Sequence, residues 1–226
     1  MAPKTMERKR AQTNKKKERK SMLAPFAPLF TLFNWVAFVG WSYILVQLVL
    51  LLPQDSQQQQ DGLIEMELTV SALEAICLIE VLRIIVGDLP GNLVLGVVLH
   101  TIRLTVLTLV WEPQPWTGSA IYWSWAVTEV TRYPMYLFPN ASALRSMRMV
   151  VPLVTFPLGA FSEAYATYVV LQRDGDDSEL WKKCLFVAVL FVNGVLGPTM
   201  AYPALLKKGL PVLGLTKKKE GVKKND

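Results

Sequence analysis

Six apolar segments follow one another along the chain, each bounded by polar residues, glycine or proline. Their lengths lie near 20 residues, which is what an α-helix needs to cross the hydrocarbon core of a bilayer. They run from Phe30 to Leu52, Leu63 to Val86, Leu93 to Val110, Ala120 to Phe138, Ser146 to Leu171 and Lys183 to Leu206. The pattern predicts an all-α, polytopic membrane protein with six transmembrane helices around a polar cavity.

The second segment is the most polar of the six. It carries Glu65, Glu67, Glu74, Glu80 and Arg83. Charged side chains are too costly to face lipid, so we expect this face to line the interior. Prolines later in the chain, at positions 152, 157 and 198, are expected to kink the fifth and sixth helices and open backbone carbonyls toward the cavity.

The fourth segment carries a polar stripe. Glu129, Arg132, Tyr133 and Tyr136 stand at positions i, i+3, i+4 and i+7, so they share one helix face. Arg103 in the third segment completes the expected supporting set of the polar cavity. We expect Glu129 to pair with Arg132, and Arg103 to pair with an acid of the second segment, Glu74. Such pairs could also serve only to fix how the helices pack.

Charge is concentrated at the two ends of this apolar chain, whose mean hydropathy is +0.30. Residues 1–20 hold nine Lys/Arg and two Glu, and residues 207–226 hold seven Lys and two acids. An even number of spans places both basic tails in the cytoplasm. Arg83 flanks one loop on that side, and the other loop there carries Arg145 and Arg148. The predicted organisation is a basic cytosolic arm (1–28), a membrane domain (29–206) and a basic cytosolic tail (207–226). Nucleic-acid binding is the alternative for the tails, but no such motif accompanies them.

Two short sequences bear on the compartment. The chain ends in Lys223-Lys224-Asn225-Asp226, and a dilysine at this distance from a cytosolic C-terminus is similar to a retrieval signal of endoplasmic reticulum membrane proteins. A lysine-rich tail could also end this way by chance. Asn140-Ala141-Ser142 is a glycosylation sequon, which the topology places in the cytosol, where it stays unmodified.

The fifth segment contains the most informative stretch, Phe156-Pro157-Leu158-Gly159-Ala160-Phe161-Ser162-Glu163. It sets an ionisable carboxylate, Glu163, near the centre of a predicted span. A charge there costs about 2.5–3.5 kcal/mol or more, so it predicts a functional site, with a structural role as the alternative. Phe156 lies two helical turns earlier and shares its face.

Other candidate sites are excluded or unsupported. Cys77 and Arg83 have the Cys-x5-Arg spacing of tyrosine phosphatases, but that chemistry needs a glycine-rich loop with free N–H groups, and this segment is predicted to be continuous helix. His100 is the only histidine, which argues for packing rather than a histidine-based metal site. The two cysteines indicate neither a disulfide framework nor zinc. We predict no metal and no cofactor.

The chain resembles the 3-hydroxyacyl-CoA dehydratase family of very-long-chain fatty acid elongation, also named protein tyrosine phosphatase-like. The resemblance runs from about Leu73 to Leu206 and rests on the stretch from Trp125 to Tyr133, and on Arg148 followed by Phe-Pro-x-Gly-x3-Glu. Leu73-Glu74 and Arg103 also match the family. It implies six membrane helices in the endoplasmic reticulum, with both termini cytosolic, and dehydration of (3R)-3-hydroxyacyl-CoA to trans-2-enoyl-CoA.

The resemblance assigns catalysis to a tyrosine and a glutamate seven residues apart. Glu163 matches the glutamate, but Phe156 stands at the tyrosine. A phenyl ring cannot donate a proton, so a slow enzyme is expected, with Tyr133 or Tyr136 as substitutes. The expected partners are a long-chain 3-hydroxyacyl-CoA, membrane lipid and other elongation enzymes, and no nucleic acid. An impaired relative that acts as a scaffold or acyl-chain-binding partner is the alternative, and a small transporter is a third, less supported one.

Overall fold

A computed structural model describes residues 24–87, 89, 92–110, 115–174 and 179–215. The basic arm up to residue 23 and the tail with Lys223 and Lys224 lie outside the described residues. Within them, regular structure is helical throughout, which confirms the all-α prediction. After a short 3₁₀ turn, the elements are α1 (Ala27–Leu51), α2 (Ser56–Ile85), α3 (Leu93–Leu109), α4 (Pro115–Leu137), α5 (Ser142–Val150), α6 (Pro152–Asp174), α7 (Leu180–Phe191), a π-helical segment (Val192–Ala201) and α8 (Tyr202–Gly209).

The second helix begins earlier than its apolar pattern predicted. The Asp55 side chain accepts a hydrogen bond from the Gln58 backbone N–H at 2.9 Å and caps a helix that starts at Ser56. The second segment was predicted to start at Leu63, and that start was wrong, because the helix already begins at Ser56. Glutamine is a good helix former, so a capped glutamine run continues into the apolar helix without a break.

Prolines interrupt the last two long helical stretches. The predicted fifth segment consists of α5 and α6, which meet at Pro152, and Pro157 lies inside α6. The sixth stretch runs from α7 through the π-helical segment, which contains Pro198, into α8. Proline lacks the N–H that a helix uses, so the carbonyl four residues earlier loses its normal donor.

Three helical stretches within the described residues are long and apolar enough to cross a membrane: 27–51, 142–173 and 180–209. The apolar helix α3 is shorter, with 17 residues, and α2 and α4 carry several charged or polar side chains. The chain is therefore an α-helical membrane protein, while the number of six spans stays a prediction.

The fold is organised around α4. This helix packs against α1 on one side and α6 on the other. Its contact with α1 buries large side chains, among them Trp41, Ile44 and Tyr122. Glu129 and Tyr133 of α4 are buried as well, and Arg132 and Tyr136 are partly buried. The central position of α4 therefore sets both its polar stripe and Trp125 inside the protein.

Candidate active site

Glu163 lies on the buried side of α6, with 7% of its surface exposed. The Trp125 indole N–H of α4 donates to Glu163 Oε1 at 2.7 Å. The Asn193 side-chain amide, from the π-helical segment, donates to Glu163 Oε2 at 2.8 Å. A buried carboxylate needs such donors, because burial removes its hydrogen bonds to water. Helices far apart in sequence thus fix the carboxylate through one neutral N–H donor to each oxygen.

Gly159 explains how α6 comes close enough to α4 for these bonds. A Cβ at position 159 would lie 2.5 Å from Ser124 Oγ, so with a side chain there either Ser124 or the helices would have to shift. The same Cβ position is 3.9 Å from Glu163 Oε1. The carboxylate therefore reaches back over the turn that precedes it, as helical side chains do, in the direction of position 156.

Phe156 is half-buried and faces the last helical stretch of the chain. Its ring stacks nearly parallel to that of Tyr202, with an interplanar angle of 9° and centroids 6.4 Å apart. Its Cζ lies 3.4 Å from where a Cβ of Gly197 would be. Cζ is the atom that carries the hydroxyl in tyrosine, and the residue near it in the last helical stretch is a glycine.

A second group of buried polar residues joins α2, α3 and α4. Arg103 of α3 contacts Glu74 of α2 at 2.7 Å and Glu129 of α4 at 2.9 Å. His100, also on α3, hydrogen-bonds through Nδ1 to Glu74 Oε2 at 3.0 Å. The pairs expected from the sequence are present, but Arg103 connects them into one network rather than two.

Arg132 extends this network along α4. It contacts Glu129 at 2.6 Å and Glu80 of α2 at 3.5 Å. The Tyr133 hydroxyl shares a hydrogen bond with Cys77 Sγ at 3.1 Å. The Tyr136 hydroxyl donates to Glu80 at 3.3 Å. Both proposed substitutes for the missing phenol therefore have their hydroxyls engaged with residues other than Glu163, namely Cys77 for Tyr133, and Glu80 and Arg148 for Tyr136.

Trp125 stands between the two groups. Its indole N–H binds Glu163, and the Arg103 guanidinium lies over its ring, 5.1 Å from the centroid. Tyr133 follows eight residues later on the same helix, about 12 Å farther along the axis. The polar stripe predicted from the sequence thus belongs to a separate hydrogen-bonded group, which meets the Glu163 site at Trp125.

Comparison with known proteins places this arrangement in a family. Residues 74–208 match a family model described as "Protein tyrosine phosphatase-like protein, PTPLA". The chain belongs to this family. The very-long-chain (3R)-3-hydroxyacyl-CoA dehydratase PASTICCINO 2 of Arabidopsis thaliana is 26% identical over 151 residues, which are 62% of this chain and 67% of that protein. No solved structure matches the chain.

The residues matched to the protein tyrosine phosphatase-like family include both groups described above and exclude α1. Cys77 and Arg83, which have the phosphatase-type spacing, belong to one continuous helix. They therefore do not flank a phosphate-binding loop. Cys77 is buried against Tyr133. The family resemblance drawn from the sequence is confirmed, and the roles given to individual residues stay predictions.

Three members of these groups were missed or undervalued in the sequence. Asn193 could have been noticed in the sequence, because it is an isolated amide in an apolar segment, directly before Gly194 and five residues before Pro198. His100 was interpreted as a packing residue, and its bond to Glu74 became visible only once α2 and α3 were placed side by side. Tyr202 gave no signal, because nothing in its local sequence ties it to position 156.

Proposed function

We propose that this protein is a hydro-lyase that removes water from (3R)-3-hydroxyacyl-CoA to give trans-2-enoyl-CoA in very-long-chain fatty acid elongation. The observation that carries the proposal is the buried Glu163 carboxylate, held by Trp125 and Asn193 at the position where the family glutamate falls. The name of the Arabidopsis relative supports the reaction class. A long-chain 3-hydroxyacyl-CoA is the proposed substrate, and no cofactor is needed.

Dehydration requires a base for the C2 proton of the thioester and an acid for the departing C3 hydroxyl. Glu163 is the proposed base. Its two oxygens accept hydrogen bonds from N–H groups and keep further lone pairs that can accept a proton. Trp125 and Asn193 hold the carboxylate in one orientation, which removes the cost of ordering it during the reaction.

Position 156 limits the rate in this proposal. Phe156 has no hydroxyl, and losing one acid–base partner typically lowers a rate by about 10²–10⁴-fold. We therefore expect a slow native enzyme and a faster Phe156→Tyr variant. Gly197, which has no side chain, lies near Cζ, the atom that would carry the added oxygen.

The test is enoyl-CoA formation by purified protein in detergent or liposomes, with native, Glu163→Ala and Phe156→Tyr proteins. Glu65→Ala is the matched control, since it removes an exposed glutamate of α2. We expect loss of activity in Glu163→Ala, a gain in Phe156→Tyr and no change in the control. If Glu163→Ala keeps the native rate, the carboxylate is structural and the proposal fails.

A scaffold of the elongation machinery is the second candidate, and the missing hydroxyl of Phe156 is the observation that favours it. Such a protein would bind acyl chains or elongation enzymes without catalysis. Co-purification with elongation enzymes separates the two functions. A scaffold shows no turnover in native protein and keeps its associations in Glu163→Ala, whereas the enzyme loses turnover in that variant.

The proposed location is the endoplasmic reticulum membrane, with six spans, a cytosolic arm (1–28), a membrane domain (29–206) and a cytosolic tail (207–226). Asn140 is an exposed residue in the turn between α4 and α5, so burial does not protect its sequon. Glycosylation of native Asn140 would contradict the topology, because that modification occurs in the lumen. Reporter tags at both ends should be protease-accessible in intact microsomes.

The dilysine has its own test. Replacing Lys223 and Lys224 with serine is expected to release part of the protein from the endoplasmic reticulum, as seen by microscopy of a tagged chain. The matched control is serine replacement of Lys217 and Lys218, which removes the same charge outside the motif. Unchanged location in the first variant would show that the signal is redundant or absent.

A further inference from the structure

Tyr202 lies against the ring that lacks a hydroxyl. Its ring and that of Phe156 are within 9° of parallel, with centroids 6.4 Å apart. Tyr202 is the first residue of α8, directly after the π-helical segment that supplies Asn193 to Glu163. One helical stretch therefore brings an amide to the carboxylate and a phenol to position 156.

The Tyr202 hydroxyl is oriented by a defect in α6. Pro157 has no N–H, so the Leu153 carbonyl four residues earlier loses its helical donor. The Tyr202 hydroxyl donates to this carbonyl at 3.2 Å. The phenol is thus held at the turn of α6 toward which the side chain at position 156 is directed, because helical side chains lean toward the N-terminus. Glu163 Oε1 lies farther along the same helix, beside position 159.

Other tyrosines are less well placed. The hydroxyls of Tyr133 and Tyr136 bind residues of α2. Tyr165 stacks on Phe161 and contacts Trp116, and 36% of its surface is exposed. Among the ring contacts of the described residues, Tyr202 is the phenol that touches Phe156.

We propose that Tyr202 supplies the proton that position 156 cannot, an inference that rests on the proposed dehydratase function. Glu163 takes the C2 proton, and the C2–H electron pair becomes the C2–C3 double bond. The C3–O bond breaks, and the leaving oxygen takes the Tyr202 proton to form water. In this step the leaving hydroxyl replaces the Leu153 carbonyl as acceptor. The proton on Glu163 then returns to the phenolate, so the cycle consumes nothing.

The test removes the hydroxyl from the ring at position 202 and adds one to the ring at position 156. Tyr202→Phe is expected to lower kcat by about 10²-fold or more. Phe156→Tyr in the Tyr202→Phe background is expected to recover at least about 10-fold, a larger gain than the same change gives in native protein. Tyr168→Phe, on the exposed face of α6, is the matched control and should keep the native rate.

A purely structural role for Tyr202 predicts a different result. If the hydroxyl only satisfies the Leu153 carbonyl, Tyr202→Phe lowers thermal stability and Phe156→Tyr does not restore the rate. Pro157→Ala separates the two roles, because alanine returns an N–H to that carbonyl. The double variant Pro157→Ala/Tyr202→Phe should fold and remain slow relative to Pro157→Ala alone, and equal rates would overturn the inference.

The outcomes also separate this inference from the proposed function. If Tyr202→Phe stays within twofold of native while Glu163→Ala is inactive, the donor is another group and only the Tyr202 assignment falls. If native protein shows no Glu163-dependent turnover at all, the dehydratase proposal fails and the Tyr202 assignment fails with it.

Discussion

The interior contains two groups of buried carboxylates that are held in different ways. Glu74 and Glu129 pair with arginine, and Arg103 lies between them. Glu163 is bound by the neutral N–H groups of Trp125 and Asn193. Adding a proton to Glu129 would remove the attraction of two arginines, whereas adding one to Glu163 breaks no ion pair within hydrogen-bonding distance. The difference supports the proposal that Glu163 acts in proton transfer, whereas Glu74 and Glu129 connect helices through their ion pairs.

The largest expected effect comes from removing the charge shared by the ion pairs. Arg103→Met leaves Glu74 and Glu129 without their common partner in a buried site. Breaking a buried pair in this way typically costs about 3–5 kcal/mol. We expect little folded Arg103→Met protein, measured by size-exclusion chromatography and thermal melting in detergent.

Arg145→Met is the control for that change, since Arg145 is an exposed arginine on α5. Glu163→Gln sharpens the comparison, because it removes a buried charge without leaving an unpaired arginine. It should accumulate and melt near the native temperature. Normal accumulation of Arg103→Met, or unfolding of Glu163→Gln, would contradict the division between the two groups.

A smaller effect is expected at Asn193. Asn193→Ala removes one of the two hydrogen bonds to Glu163, and a bond to a charged group is worth about 1.5–3 kcal/mol. If that energy orients the base during the reaction, kcat falls by roughly 10- to 100-fold. The measurement is kcat and KM for enoyl-CoA formation, and Gln172→Ala, an exposed amide on α6, is the control. A change in KM alone would place Asn193 in substrate binding rather than in orienting the base.

The smallest effect concerns the contact that brings α6 to α4. Gly159→Ala places a methyl group 2.5 Å from Ser124 Oγ. Overpacking of this kind costs about 1–3 kcal/mol, so we expect a lower melting temperature. Ser124→Ala removes the clashing oxygen, and the double variant should recover most of the loss. If the double variant is no more stable than Gly159→Ala, the glycine serves something other than this helix contact.

Hydropathy predicted the helices better than their ends. The first and third segments match α1 and α3 closely, because continuous apolar runs leave few alternative boundaries. The start of α2 was missed, since its first turns are polar and only the Asp55 cap marks them. The break at Pro152 was foreseen, because proline fixes where a helix loses its hydrogen bonds.

The candidate site shows where sequence patterns stop being informative. The placement of Glu129 and Arg132 on one face follows from helical periodicity, and their 2.6 Å contact agrees with it. The bond from Asn193 to Glu163 joins residues 30 apart on two helices. This bond depends on how each helix is rotated about its axis, and side-chain packing between helices sets that rotation. The periodicity of one helix does not reveal how that helix is rotated relative to its neighbours.

The π-helical segment contains Asn193 and ends directly before Tyr202 in the last helical stretch, so its geometry sets how these two side chains are placed relative to each other. Hydrogen bonds from i to i+5 accommodate extra residues within an otherwise α-helical stretch. If the same residues took α-helical bonding, the stretch would wind further before it reached Tyr202, because an α-helix turns by about 100° per residue and a π-helix by less. Tyr202 would then leave the Phe156 face while Asn193 stayed at Glu163. The bonding pattern of this segment therefore positions the site as much as its side chains do.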